Sequence, residues 1–254
     1  ISALLWQSQA EHDCLYSTLN PESRALAPWL VRVTPGSRIA SLLRAQPALA
    51  HSYVMFQSDQ DLKQIRRHLR HFTMLRMQDS SDAPVYFRFY DPRVMLDMTD
   101  SVRPAFLARF MRPFRSVIVQ TSPLCLFPPH RMLSGAPISP FDDGALHQGR
   151  LLRHELASSD APKSANEALE IDPAELERFS ELMAQRATIK LARRLYADHA
   201  PAVSQLQCLA AAASAGDEAA RFGMTTIKQV GVIARSILMF GKNFETRHPE
   251  ANRI

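Results

Sequence analysis

The 254-residue sequence predicts an α/β N-terminal lobe, built of a mixed sheet with flanking helices, followed by an all-α C-terminal lobe. Over residues 1–122, short runs of β-branched and aromatic residues alternate with helical patterns, which is typical of α/β structure. Residues 171–254 contain helical patterns throughout. The intervening segment, 123–170, is rich in proline and glycine, so we expect it to connect the two lobes.

The N-terminal lobe contains four apolar runs that predict strands, separated by segments that predict helices. The strands are expected at residues 29–33, 53–56, 85–90 and 115–119. The 85–90 run is the clearest of them, because aromatic and β-branched residues dominate it. Apolar residues at helical spacing predict helices over 37–45, 58–72, 92–98 and 103–111.

Three helices are predicted in the C-terminal lobe. They cover residues 172–196, the alanine-rich stretch 202–222, and 226–240. Asp172 and Thr226 are of the residue types that cap the first turn of a helix. Gly223 and Gly241 follow the last turns of the second and third helices, where glycine is favoured.

The composition is that of an ordinary globular protein, with 46% hydrophobic and 22% charged residues, which excludes a disordered or fibrous chain. The formal net charge of +5 is too small to select nucleic acid, anionic lipid or acidic protein as a partner. Three cysteines at long spacings, without a CxxC pair, fit a reducing compartment. No apolar run approaches the roughly 20 residues of a membrane span. We therefore expect a cytoplasmic protein.

Motifs for catalysis, cofactors and metals are missing from the sequence. It contains no GxSxG nucleophile motif, no GxGxxG and no P-loop. His68 and His71 are too few for a zinc site, and the surrounding arginines would repel a cation. We expect no catalytic residue, no metal and no cofactor.

One face of the predicted 58–72 helix is basic and carries Lys63, Arg66, Arg67 and Arg70. A solvated helix surface explains such a face, and so does contact with an acidic protein surface or with phosphates. Arg66, Arg67 and Arg70 are therefore candidate partner-binding residues.

Polar residues cluster at the end of the 85–90 run, where Arg88, Tyr90, Asp91, Pro92 and Arg93 follow one another closely. Polar groups at this place must be paired or exposed. An arginine–aspartate pair with two parallel hydrogen bonds would lock the turn into the next helix. We interpret the cluster as a structural motif, with direct involvement in partner binding or in chemistry as the alternative.

The third C-terminal helix is apolar on more than one side. Its apolar residues cannot all face one core; they include Val232, Ile233, Ile237, Leu238, Met239 and Phe240. The last four, together with Phe244, are candidate contacts for a partner, whose segment we expect to be apolar or helical. A central position of this helix in its bundle is the alternative explanation.

Several segments resemble one known family, and they do so in the expected order. The segment VYFRFYDPRV at 85–94 resembles the FRYYDPRVL signature of the type VI secretion effector-chaperone, or adaptor, family with its Tap/Tec-type domain. Weaker resemblances are CLY at 14–16, APWLV at 27–31, HLR at 68–70, RFGM at 221–224 and GKNF at 241–244.

The resemblance implies a cytoplasmic, non-enzymatic adaptor that binds a cognate toxic effector and helps to load it onto the spike of the secretion apparatus. The implied partners are this effector and a spike or spike-tip protein, without nucleic acid and without stable membrane association. Two other classes remain open. One is a hydrolase that uses His130, His147 or His154 with Asp142, and the other is a nucleic-acid-binding regulator.

Overall fold

The computed structural model describes residues 5, 8–16, 20, 22, 26–45, 51–77, 85–120, 122, 124–125, 132–133, 136–137, 139–141, 151–155 and 170–247. The chain divides into two compact units. The first comprises residues 1–138 and 142–180, and the second comprises residues 139–141 and 181–254.

The described part of the first unit contains short strands and mostly short helices. The strands are β1 (His12–Cys14), β2 (Trp29–Val31), β3 (Val54–Gln57), β4 (Met74–Met77), β5 (Val85–Tyr86), β6 (Ser116–Gln120), β7 (Met132–Leu133), β8 (Ala136–Pro137), β9 (Leu151–Glu155) and β10 (Glu170–Ile171). The helices are α1 (Arg38–Arg44), α2 (Leu62–Arg70), α3 (Pro92–Ser101), α4 (Pro104–Met111) and the beginning of α5 (Pro173–His199).

These strands form several small sheets. In one, β6 lies between β3 and β9 and pairs antiparallel with both, so that Ser116 is opposite Gln57 on one side and Glu155 on the other. In a second, β4 pairs antiparallel with β5 and parallel with β10. Two further antiparallel pairs join β1 to β2 and β7 to β8. The predicted fold class, a strand-containing N-terminal region with flanking helices followed by a helical region, is confirmed.

The run at 85–90 is shorter as a strand than its composition predicts, because only Val85–Tyr86 pairs with β4. The chain then turns toward α3, and the N–H of Phe87 donates to the carbonyl oxygen of Thr73 at 3.0 Å. Phe87 and Phe89 are nevertheless both buried. The alternating pattern therefore identifies the buried side chains correctly but overestimates the length of the paired strand.

The proline- and glycine-rich segment also differs from expectation. Residues 151–155, in the middle of the predicted connecting segment 123–170, form β9 and complete the sheet with β3 and β6. The strands β1, β4, β7, β8 and β10 were not predicted either. Each of them has only two to four residues, too few for local periodicity to reveal it.

The core of the first unit is rich in aromatic rings. The ring centroids of Phe72 and Phe110 lie 5.0 Å apart, and those of Phe89 and Phe110 lie 5.3 Å apart. Met95 and Met98, on the inner face of α3, are fully buried in the same cluster. This packing fixes the positions of α2, α3 and α4, which carry the polar clusters described below.

The described part of the second unit is helical and contains the remainder of α5, α6 (Gln205–Arg221), α7 (Ile227–Phe240) and α8 (Phe244–Arg247). Its core uses small side chains on α6. They are Cys208, Ala211, Ala212, Ala215 and Ala219, at the spacing of one helix face. Small residues let helices approach closely, and α6 packs against α7. Because α6 and α7 pack closely, only a narrow face of α7 is buried. This face contributes Ile233, Ala234 and Ile237 to the core.

Candidate partner-binding surfaces

Helix α7 begins and ends where its sequence predicts. The Thr226 hydroxyl accepts a hydrogen bond from the backbone N–H of Gln229, whose side chain accepts one from the N–H of Thr226 in return. At the other end Gly241 has a φ of 84°, a conformation that favours glycine, and its N–H donates to the Ile237 carbonyl at 2.8 Å. These two ends set the length of α7, and its packing in the core of the second unit sets which residues face inward.

The structure divides the five predicted contact residues near α7 into two groups. Ile237 and Phe244 are buried in the core of the second unit, and Leu238 packs partly against it. Ile237 and Phe244 therefore stabilise the fold, and Leu238 presents only part of its side chain to the surface. Met239 and Phe240 are 58% and 51% exposed, so the prediction is retained for them.

The outer face of α7 carries a further apolar residue, which belongs to the set that the sequence predicted could not all face the core. Val232 is 62% exposed and precedes Met239 by two helical turns, so both lie on the side opposite the core. Arg235 lies between them on the same face, and its guanidinium pairs with the carboxylate of Asp198 on α5 at 3.4 Å. We call Val232, Met239 and Phe240 the apolar outer face of α7.

Helix α2 is strongly amphipathic. Asp61 caps its first turn in a reciprocal capping box with Gln64, and Ile65 and Leu69 point into the core. Its predicted basic residues do not behave alike. The Nε of Arg66 donates to the carbonyl oxygen of Cys14 at 2.7 Å and lies 3.2 Å from the carboxylate of Asp13.

Arg66 therefore joins α2 to β1 and is a structural residue, which removes it from the predicted contact surface. Arg67 and Arg70 are exposed, as is Lys63 one turn earlier. We call Lys63, Arg67 and Arg70 the basic row of α2. This row keeps two of the three arginines that the sequence proposed.

The cluster at 88–93 forms a tight turn into α3. Asp91 is buried and caps the helix by accepting a hydrogen bond from the backbone N–H of Arg93 at 3.0 Å. The same carboxylate receives two side-chain hydrogen bonds from the Arg93 guanidinium, one of them from Nε at 2.9 Å. Pro92 occupies the first turn of α3, where its fixed φ fits. Asp91 and Arg93 therefore form a bidentate ion pair that stabilises the start of α3, and we call this pair the bidentate clamp.

The remaining two residues of this cluster lie near the surface. The guanidinium carbon of Arg88 lies 5.8 Å from the ring centroid of Tyr90, in cation–π geometry. Tyr90 is hydrogen-bonded to Tyr16, whose pKa is raised by burial and by this bond. Tyr86, beside Tyr16 in edge-to-face contact, is 68% exposed. Local sequence does not reveal this grouping, because Tyr16 is distant from the others along the chain.

A buried polar network adjoins the Asp91–Arg93 pair. The Nε2 atom of His51 lies 2.6 Å from the hydroxyl of Ser122, which in turn lies 3.7 Å from the thiol of Cys125. Burial raises the pKa of the Cys125 thiol. Ser122 is fully buried, so a substrate has no access to its hydroxyl. The network holds the chain segments around residues 51 and 122 together.

The alternative catalytic hypothesis concerns residues outside this description. His130, Asp142 and His147 are not among the described residues, and the side chain of His154 in β9 is not described either. In the part of the chain that is described, histidine, cysteine, aspartate and glutamate form no group of three or more that could hold a metal ion. None of the described helices combines the length and the apolar character of a membrane span.

Comparison with known proteins yields one match. Residues 1–109 match the model of a family described as "Domain of unknown function (DUF4123)". The matched range contains β1 to β5, the basic row of α2 and the 88–93 turn, and it ends within α4. No curated protein and no solved structure matches the chain.

Proposed function

We propose that the protein is a non-enzymatic adaptor that binds a cognate type VI secretion effector and helps to load it onto the spike complex. The observation that carries this proposal is the match of residues 1–109 to a domain family commonly linked to type VI secretion adaptor proteins. The signature-like segment at 85–94 lies inside the matched range.

The effector docks on the apolar outer face of α7. Val232, Met239 and Phe240 are each more than half exposed, although apolar side chains gain from burial. Complete burial of such a side chain stabilises a complex by about 1.5–3 kcal/mol, of which roughly half remains available here. An apolar or helical effector segment laid along α7 would cover all three.

A tagged pull-down from cells of the encoding bacterium, with mass spectrometry of the bound proteins, tests the proposal. The wild-type chain is compared with Val232→Asp/Met239→Asp, which places two charges on the outer face without touching the core. Leu206→Asp is the matched control, because Leu206 is 76% exposed on α6. Circular dichroism establishes that all three proteins are folded.

We expect the wild type and the Leu206 variant to recover one large toxin-like protein that the double variant fails to recover. Recovery of the same protein by a folded double variant would remove α7 as the docking site. Recovery of no toxin by the wild type, from cells that express the secretion apparatus, would overturn the adaptor proposal. For loading, we expect deletion of the gene to remove that toxin from the culture medium while its level inside the cells persists.

A further inference from the structure

The strongest surface feature outside α7 is the basic row of α2. Lys63, Arg67 and Arg70 follow one another at positions i, i+4 and i+7, so their side chains share one face over about 10 Å. All three are exposed. Within the described part of the chain, none of them has an acidic partner within ion-pair distance.

Other arginines of the first unit contrast with this row. Arg32, Arg66, Arg93, Arg103, Arg115 and Arg178 each pair with a carboxylate of the same unit. The first unit therefore pairs much of its positive charge internally, whereas the adjacent cations on α2 have no carboxylate partner among the described residues.

The C-terminal end of α4 extends the positive surface. The Nε2 atom of His68 lies 2.8 Å from the carbonyl oxygen of Phe110. This contact joins the last turn of α2 to α4. Arg112, directly after α4, is exposed and close enough to His68 to lower its pKa electrostatically. Arg112 therefore adds a positive charge beside His68, in the last turn of α2.

The other end of the row is closed by carboxylates. Asp61 precedes Lys63 and caps α2, and Asp59 is exposed and pairs with Arg115. A nucleic-acid backbone running along the row would be repelled by the carboxylate of Asp61, whereas the charge of Asp59 is offset by Arg115. A short segment with carboxylates at helical spacing would meet only the cations.

We infer that the basic row of α2, with Arg112, is a docking surface for an acidic helical segment of a partner protein. Glutamates or aspartates at i, i+4 and i+7 of such a helix have the spacing of Lys63, Arg67 and Arg70. Exposed charges of this kind accelerate association and set orientation, and their contribution falls as salt rises. This inference is independent of the adaptor proposal, since it concerns a different surface and a different partner chemistry.

Fluorescence anisotropy with the full chain tests the inference. One probe is a labelled 18-residue alanine-based helical peptide with glutamates at i, i+4 and i+7, and the other is a labelled 12-base-pair duplex DNA. The test variant is Lys63→Glu/Arg67→Glu/Arg70→Glu. The matched control is Arg38→Glu/Arg194→Glu/Lys242→Glu, which makes the same change in net charge at three exposed sites, in α1, in α5 and just after α7.

We expect the wild type and the control variant to bind the peptide, more weakly at 200 mM than at 50 mM salt. The test variant should bind it at least about tenfold more weakly, because each attractive pair becomes repulsive. No peptide binding by the wild type, or equal weakening in both variants, would overturn the inference. Tighter binding of the DNA than of the peptide at the same salt concentration would also overturn it, in favour of a nucleic-acid partner.

Discussion

The bidentate clamp between Asp91 and Arg93 predicts a large loss of stability on truncation. Asp91→Ala removes the cap of α3, which is worth about 1 kcal/mol. It also removes both side-chain hydrogen bonds of Arg93, whose side chain is only 19% exposed and would be left without its counter-charge. Breaking a buried pair from one side costs about 3–5 kcal/mol. Because Arg93 can partly rehydrate, we expect a total loss of about 3 kcal/mol.

Urea unfolding followed by tryptophan fluorescence measures this loss in the first unit, since the two tryptophans of the chain are Trp6 and Trp29. Asp91→Asn, which keeps an oxygen to cap the helix, should lose about half as much. The control is Asp100→Asn, which breaks the exposed Asp100–Arg178 pair and should cost less than about 1 kcal/mol. A loss in Asp91→Ala no larger than that of the control would refute the reasoning.

The same pair has a predictable dependence on pH. Burial alone would raise the pKa of Asp91, but the hydrogen bonds and charge of Arg93 outweigh it and hold the pKa below its ordinary value. The unfolded carboxyl titrates near pH 4. The stabilisation is therefore complete above about pH 4 and is lost as the pH falls through the lower pKa of the folded state. The difference between wild type and Asp91→Asn should shrink accordingly below pH 4.

Three further predictions concern single side chains. Burial lowers the pKa of His68, so the unfolded state binds more protons than the folded state. The free energy of unfolding should therefore fall as the pH drops below about 6.5. In His68→Gln, urea titrations should show that this free energy depends less steeply on pH. Gly223 has a φ of 67° just after α6, so Gly223→Ala should destabilise the protein by about 1 kcal/mol. Gly216 lies inside α6 with open space around it, so Gly216→Ala should stabilise the protein by up to about 1 kcal/mol. Thermal unfolding measures both changes. Ala215→Leu should cost about 1–3 kcal/mol by the same measurement, because Ala215 is fully buried in the core between α6 and its neighbours.

The sequence predicted helices better than strands because helix signals are local. The capping box at Thr226 and the glycine at 241 bracket α7 to within one residue of its observed bounds, Ile227–Phe240. In contrast, β9 pairs with β6 through residues such as Glu155 and Ser116, nearly forty positions apart. No pattern within β9 specifies that pairing, and the prolines and glycines around it suggested a connector.

For the candidate surfaces, too, the sequence predicted what depends on local helical spacing but not what depends on distant contacts. Helical spacing showed that the apolar residues of α7 could not all face the core, and it placed Arg67 and Arg70 on one side of α2. Which residues stay outside depends on distant partners. Ile237 is buried because α6 is lined with alanines, and Arg66 is engaged because the carbonyl of Cys14, 52 positions away, lies beside it. Neither contact is visible in the local sequence.

The basic row of α2 also raises the question of how a short helix tolerates three neighbouring cations. Like charges at i, i+3 and i+4 each destabilise a helix by about 0.2–0.5 kcal/mol, so the two adjacent pairs in the row cost less than about 1 kcal/mol. The capping box at Asp61 offsets this by about 1 kcal/mol. Arg67 and Arg70 lie in the last turn, where cations interact favourably with the helix dipole. Since the buried Ile65 and Leu69 add packing energy, α2 can hold three cations that have no carboxylate partner among the described residues, and their spacing is set before any acidic partner binds.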